Sequence, residues 1–241
     1  RRLAPLKSKC EKSLRKLVEL DQWLTIGRWA KHVEAIMPDI CDHGIQIESG
    51  RHLLIDGTPD PVDYGLGLCA ARDDRQSTAL LTGANSGGKT TMLELLAHCT
   101  ILAHMGLPVP AKSAKVGRIE SLHVLAKAGG TQSAGALEQT LLQLAQVVSN
   151  TDSKLILADE LEAITEPGAG ARIIAGMLEA AESHEGTCML LVTHLAPAII
   201  EAAGRELRTD GIEARGLDEN LELIVDRTPR RNYLARSTPE L

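Results

Sequence analysis

The residues best suited to chemistry lie in the segment Thr82-Gly83-Ala84-Asn85-Ser86-Gly87-Gly88-Lys89-Thr90-Thr91, where Gly83, Gly88, Lys89 and Thr90 satisfy the spacing G-x-x-x-x-G-K-[ST]. Glycines at these positions let successive N–H groups turn inward on phosphate oxygens, and a helix starting there adds a partial positive charge. Lys89 is expected to reach the β and γ phosphates of a nucleoside triphosphate, and Thr90 to offer its hydroxyl to Mg²⁺. The expected ligands are therefore ATP and Mg²⁺. The alternative, a chance glycine-rich turn, requires neither the apolar run before the loop nor the helical pattern after it (Met92, Leu93, Leu95, Leu96).

Binding is not hydrolysis, which needs an acidic partner at the end of a neighbouring buried strand. Leu155-Ile156-Leu157-Ala158-Asp159-Glu160 supplies one. Asp159 is expected in the Mg²⁺ shell, and Glu160 is expected to orient or deprotonate the attacking water. The alternative is a strand that simply exits into solvent. A glutamate at the second position fits hydrolases of the ABC-like class, whereas small-molecule kinases exclude such a base. A further apolar run, Met189-Leu190-Leu191-Val192-Thr193, ends in His194, which in that class contacts the γ phosphate; a purely structural histidine is the competing reading. A RecA-like motor or a kinase remains open on the loop alone. The other histidines lack metal-ligand spacing: His98 and His104 are six apart and share no helix face. They are read as structural or exposed.

These groups require strands and helices in alternation. Ala79 to Thr82, Leu155 to Ala158 and Cys188 to Thr193 read as strands apolar on both faces, while Lys89 to Met105, Leu137 to Val148, Ile173 to Ala181 and Ala196 to Ala203 read as helices. That order predicts an α/β fold of the P-loop type, a mostly parallel sheet flanked by helices. Before it, Leu6, Cys10, Leu14, Leu17, Leu20 and Leu24 recur at helical spacing, and Pro38 breaks the pattern. The expected division is a helical segment over 1–38 and an ATPase domain over 39–241. Short strands and turns are expected between Ile40 and Ala79, with Asp56 to Pro61 as turn chemistry.

With 241 residues, 44% of them hydrophobic, the chain can bury a full core. Its five cysteines are odd in number, scattered and never in a C-x-x-C pair, which predicts no disulfide framework and a reducing compartment. No apolar run reaches the roughly 18 to 20 residues of a membrane span, so no membrane partner is expected and the protein reads as cytoplasmic. The opening Arg1-Arg2 and the plain C-terminus suggest a segment of a longer chain. A net charge of −6 offers no general attraction to nucleic acid. Two basic clusters, Arg1 to Lys16 and Arg227 to Arg236, read as a solvated helix face and a solvated tail.

Taken together, these residues resemble the MutS family. The loop is similar to T-G-P-N-x-G-G-K-[ST], whose asparagine and double glycine are more specific than the general pattern. Glu19-Leu20-Asp21, Arg51-His52-Leu53-Leu54, Gly106 to Ala111, Asp159-Glu160-Leu161 and Thr193-His194 match further family elements in order along the chain. Two stretches depart: Glu162 to Pro167 replaces the usual G-x-G-T, and Gln132-Ser133-Ala134-Gly135 stands where S-T-F is usual. The departures resemble archaeal members outside the main mismatch-repair branch. With no phenylalanine there is no Phe-x-Glu wedge, and no Smr nuclease domain is recognised.

The resemblance implies an ATP-gated homodimer acting on DNA in repair or recombination, each site completed in trans by Ser133 and Gly135. An ordinary helix cap at Ser133 is the alternative. It also implies that Tyr64 lies against the adenine, against the plainer reading of a half-buried strand tyrosine. The helical segment is expected to be the base of long helices leading to a DNA clamp. A rival function is a nucleotide-gated interaction module, on DNA or ribosomes, with negligible turnover.

Overall fold

A computed structural model describes residues 4–57, 59–70, 75–84, 87–125, 142, 144–161, 167–217 and 223–235. Helix α1 (Ala4–His32) is followed by strands β1 (Asp39–Cys41), β2 (Ile45–Gly50), β3 (Val62–Leu66) and β4 (Thr78–Gly83). Next come helix α2 (Lys89–His104) and strands β5 (Ser113–Gly117), β6 (Ser121–Leu125) and β7 (Lys154–Asp159). Helix α3 (Pro167–Ser183), β8 (Thr187–Val192), helix α4 (Ala196–Ala203), β9 (Thr209–Leu217) and β10 (Leu223–Arg230) complete the order.

The apolar runs form the middle of a six-stranded sheet ordered β10-β9-β4-β8-β7-β6, parallel throughout except for the antiparallel edge pair β9/β10. Because strand side chains alternate in direction, consecutive apolar residues serve opposite cores. Leu81, Leu155, Leu157, Leu190 and Val192 pack on one face with Leu93, Leu96 and Cys99 of α2. Leu80, Ile156, Met189 and Leu191 pack on the other with Ile174 and Leu178 of α3 and Ile199 of α4. Burial on both faces is why these strands read as unbroken hydrophobic runs.

A second sheet, ordered β1-β5-β2-β3, was not foreseen as a unit. β5 pairs antiparallel with β2, and β2 with β3, while β1 lies parallel to β5. It packs Ile45, Ile47, Leu66 and Val116 onto the α2 side of the main sheet. Of the cluster Arg227 to Arg236, read as a solvated tail, Arg227 to Arg230 instead belong to edge strand β10.

α1 is a single helix ending at His32, short of the expected break at Pro38. The chain leaves it through Glu34, with φ 51, and an isolated bridge pairs Ile36 with Val109. Leu14, Leu17, Leu20 and Trp23 along it are exposed. Of the helix expected over 137–148, residues 142 and 144–149 are helical and the remainder lies outside the described residues.

One expectation is overturned. Cys41 and Cys69 form a disulfide, with Cα atoms 5.7 Å apart. The second sheet brings them together, since the Cys69 N–H donates to the carbonyl of His43, two residues past the end of β1. Their separation of 28 positions gives no hint of that meeting. Cys10, Cys99 and Cys188 are free, and burial pushes the thiols of Cys99 and Cys188 up to about 12.

Candidate functional site

The loop after β4 is shaped by two glycines. Gly83 has φ 138, and a Cβ there would lie 2.2 Å from the Ile212 carbonyl oxygen of β9, so only glycine permits the strands to approach so closely. Gly88 caps α2 with φ 91, again a left-handed conformation. Between them, Gly87 donates to the Ala84 carbonyl at 3.1 Å. Asn85 and Ser86 lie outside the described residues. Lys89, 6% exposed, folds back into the loop, its Nζ donating to the carbonyls of Gly83 at 2.8 Å and Ala84 at 2.9 Å. A cation is thereby held at the N-terminal end of α2.

The parallel register brings the acidic pair to this loop. Thr90 Oγ1 donates to Asp159 Oδ2 at 2.6 Å, joining the first turn of α2 to the last residue of β7. Asp159 faces Val192 in the β7/β8 pairing, so the residues just beyond each strand end also meet. Glu160 has φ 43, uncommon for a residue with a Cβ, and its N–H donates to the Val192 carbonyl at 3.0 Å. This turn aims the side chain at His194, whose Nε2 lies 2.7 Å from Glu160 Oε1. The two side chains are 14% and 29% exposed, so the pair is largely shielded from water. Lys89, Thr90, Asp159, Glu160 and His194 thus collect at the carboxyl ends of β4, β7 and β8, the end at which open α/β sheets bind ligands.

Beside the loop lies a cavity of about 190 Å³. His52, Ile55, Pro59 and Asp60 of the β2–β3 connection and Val62 at the start of β3 line one side, Gly88, Thr91, Met92 and Leu95 another, and Arg227 of β10 reaches in from the sheet edge. Tyr64 is not among these residues. It is 6% exposed, its hydroxyl donates to Asp210 Oδ2 at 3.1 Å, and the Arg208 guanidinium sits 5.3 Å from its ring. Burial foremost, and then the Asp210 carboxylate, hold its phenol well above the usual tyrosine range. Tyr64 is a core residue of β3. Ser133 and Gly135 fall outside the described residues.

Several lining residues escaped sequence reading. His52, read as structural or exposed, is 8% exposed and borders the cavity. Its Nδ1 accepts the Leu54 N–H at 3.2 Å, which leaves Nε2 to donate to Glu94 Oε2 at 3.1 Å. Arg227 reads in sequence only as the start of a solvated basic tail, since nothing local says that a C-terminal strand returns to the loop. Among the described residues no group of histidine, cysteine and acidic side chains forms a metal cluster, and no helix is long and apolar enough to cross a membrane.

With this geometry in view, residues 79–224 match the family model described as MutS domain V. The chain belongs to the MutS family. It is 40% identical over 246 aligned residues to DNA-binding protein MutS2 of Pyrococcus furiosus, covering 100% of this chain and 42% of that protein. It is 30% identical over 229 residues to Endonuclease MutS2 of Clostridium beijerinckii, covering 89% and 27% of the two chains. It is 33% identical over 198 residues to Putative endonuclease MutS2 of Bacillus subtilis, covering 77% and 23%. These relatives lie in the MutS2 group, outside the main MutS branch, as the departures in sequence implied. The chain spans less than half the length of these curated relatives.

Proposed function

We propose that this chain is an Mg²⁺-dependent ATPase domain of P-loop type within a longer DNA-binding protein. The observation that carries the reading is the meeting of Thr90 with Asp159 and of Glu160 with His194, at one strand end, beside the loop that holds Lys89.

In this reading the loop from Gly83 to Thr91, Asn85 and Ser86 included, surrounds the phosphates with N–H groups. Lys89 donates to their oxygens. Thr90 and Asp159 are hard oxygen donors already in contact, a donor set that suits Mg²⁺, and they would hold the ion. Bound there, Mg²⁺ neutralises charge on the β and γ phosphates. Glu160 orients the attacking water and accepts its proton, while His194 keeps the carboxylate aimed and stands near the γ phosphate. The cavity walled by Val62, Met92 and Leu95 takes the base, in place of a contact from Tyr64.

Family membership supports three further elements. The protein is read as a homodimer that ATP tightens and hydrolysis releases, with Ser133 and Gly135 facing the γ phosphate across the dimer. The printed names of the relatives support DNA as partner of the full-length protein; repair or recombination is the setting that the family resemblance implies. The helical segment 1–38 would connect the ATPase domain, 39–241, to the DNA-engaging part, in the cytoplasm.

The test is Glu160→Gln in the full-length protein. ATP affinity is expected to stay within about twofold while single-turnover hydrolysis falls about 10² to 10⁴-fold, the usual contribution of a positioned acid or base. Unchanged turnover would remove Glu160 from its role, and absence of ATP binding by the wild-type protein would remove the reading as a whole.

A further inference from the structure

We infer that Arg227 covers the base of the bound nucleotide, its guanidinium plane stacked on the purine face and oriented by Asp60. This rests on the reading of the loop and cavity as an ATP site.

Three observations lead there. First, the guanidinium is held at one end by a carboxylate and lies close to the Gly88 backbone at the other. Nε donates to Asp60 Oδ2 at 3.0 Å, on the β2–β3 connection, and Nη1 lies 3.1 Å from the point a Cβ on Gly88 would occupy. The group therefore reaches from Asp60 to Gly88 along the cavity that it lines.

Second, the walls opposite are apolar. Ile55, Val62, Met92 and Leu95 offer dispersion contact to a ring but few polar partners. The volume of about 190 Å³ exceeds the roughly 150 Å³ in which a dry apolar cavity binds benzene. A flat heteroaromatic ring fits between an apolar wall and a planar cation, which stacks on π faces better than an ammonium does.

Third, the Asp60–Arg227 pair is exposed, with side chains 69% and 43% accessible, and such pairs contribute little to folding. Orienting the arginine is a role such a pair can serve without being needed for stability. Arg227 is a positioning residue for the base; no proton or bond change is assigned to it.

The experiment compares ADP with inorganic tripolyphosphate, by calorimetry on the full-length protein with Mg²⁺. Arg227→Ala is expected to weaken ADP binding about 3- to 30-fold, the range of a desolvated cation–π contact, and to leave tripolyphosphate within about twofold. Arg227→Lys, which keeps the charge but not the plane, is expected to restore less than half of the loss on a logarithmic scale. If Arg227→Ala weakens both ligands equally, or lysine restores wild-type ADP affinity, Arg227 is a phosphate-side charge and the stacking role is refuted while the ATP site stands. If the wild-type protein binds neither ligand, the ATP reading falls and the role of Arg227 falls with it.

Discussion

Asp210 lies at the centre of a buried network beside the loop that follows β4, and replacing it with asparagine tests how the loop is supported. Its carboxylate receives Arg208 Nε at 2.9 Å and Nη2 at 2.7 Å, the Tyr64 hydroxyl at 3.1 Å and the Asn232 N–H at 3.3 Å. The Arg208 and Asp210 side chains are 3% and 1% exposed, so neither can turn to water for compensation. Thr82 Oγ1 also donates to the Asp210 carbonyl at 3.2 Å, one residue before Gly83. Asp210→Asn keeps the shape but leaves the guanidinium facing a neutral amide. Stripping one partner from a buried ion pair costs about 3–5 kcal/mol, a large part of the roughly 5–15 kcal/mol that holds a domain folded. With a urea dependence of about 2–3 kcal/mol per molar, the midpoint should fall by about 1–2 M. Urea unfolding followed by circular dichroism measures this, and Arg208→Met with the double variant completes a cycle. A coupling of about 2 kcal/mol or more is expected, because removing both charges leaves neither stranded. A midpoint shift under about 0.3 M, or a cycle that closes additively within about 0.5 kcal/mol, would falsify the view that this pair acts as a buried unit.

The disulfide and the histidines offer two more checks. Denatured but unreduced protein should titrate as three thiols, Cys10, Cys99 and Cys188, and reduction should lower stability by about 3–4 kcal/mol, as expected for a closed loop of this length; five titrating thiols would contradict the pairing. The imidazole of His98 is held below the ordinary histidine range by burial and then by His52, against an opposing pull from Glu94, and its shielded Nδ1 has no hydrogen-bond partner among the described residues. His123 is lowered likewise, by burial and then Lys154. For both, the unfolded chain binds more protons than the folded one, so stability should be full above about pH 7 and decline as pH falls through the unfolded value of about 6.5. Urea midpoints between pH 7.5 and 5.5 should drop, and His98→Leu should flatten that slope; a slope identical to wild type would clear His98 of the effect.

The candidate phosphate loop, the Asp159-Glu160 pair and His194, which the structure brings to one strand end, could be picked out because each is written locally: a fixed spacing, or a polar residue ending an apolar run. The three central strands were legible for the same reason, since burial on both faces leaves no polar residue within the run. For Tyr64 the resemblance supplied a position along the chain but not a direction for the side chain, and the packing of β3 against Arg208 and Asp210 turns it inward. The second sheet was missed because its strands are short and β5 is recruited from beyond α2.

By itself, then, the sequence singled out the residues proposed to carry phosphate and acid–base chemistry, and predicted the parallel sheet at whose strand ends they stand. Tertiary structure decided what stands around them. Register alone sets Glu160 beside His194, the return of the chain into β10 brings Arg227 to Gly88, and the pairing of β2 with its neighbours joins Cys41 to Cys69. The physical reason is one of range. Spacing and periodicity report on neighbours within a few positions, whereas these meetings depend on strand order and crossover, which no short window of residues encodes.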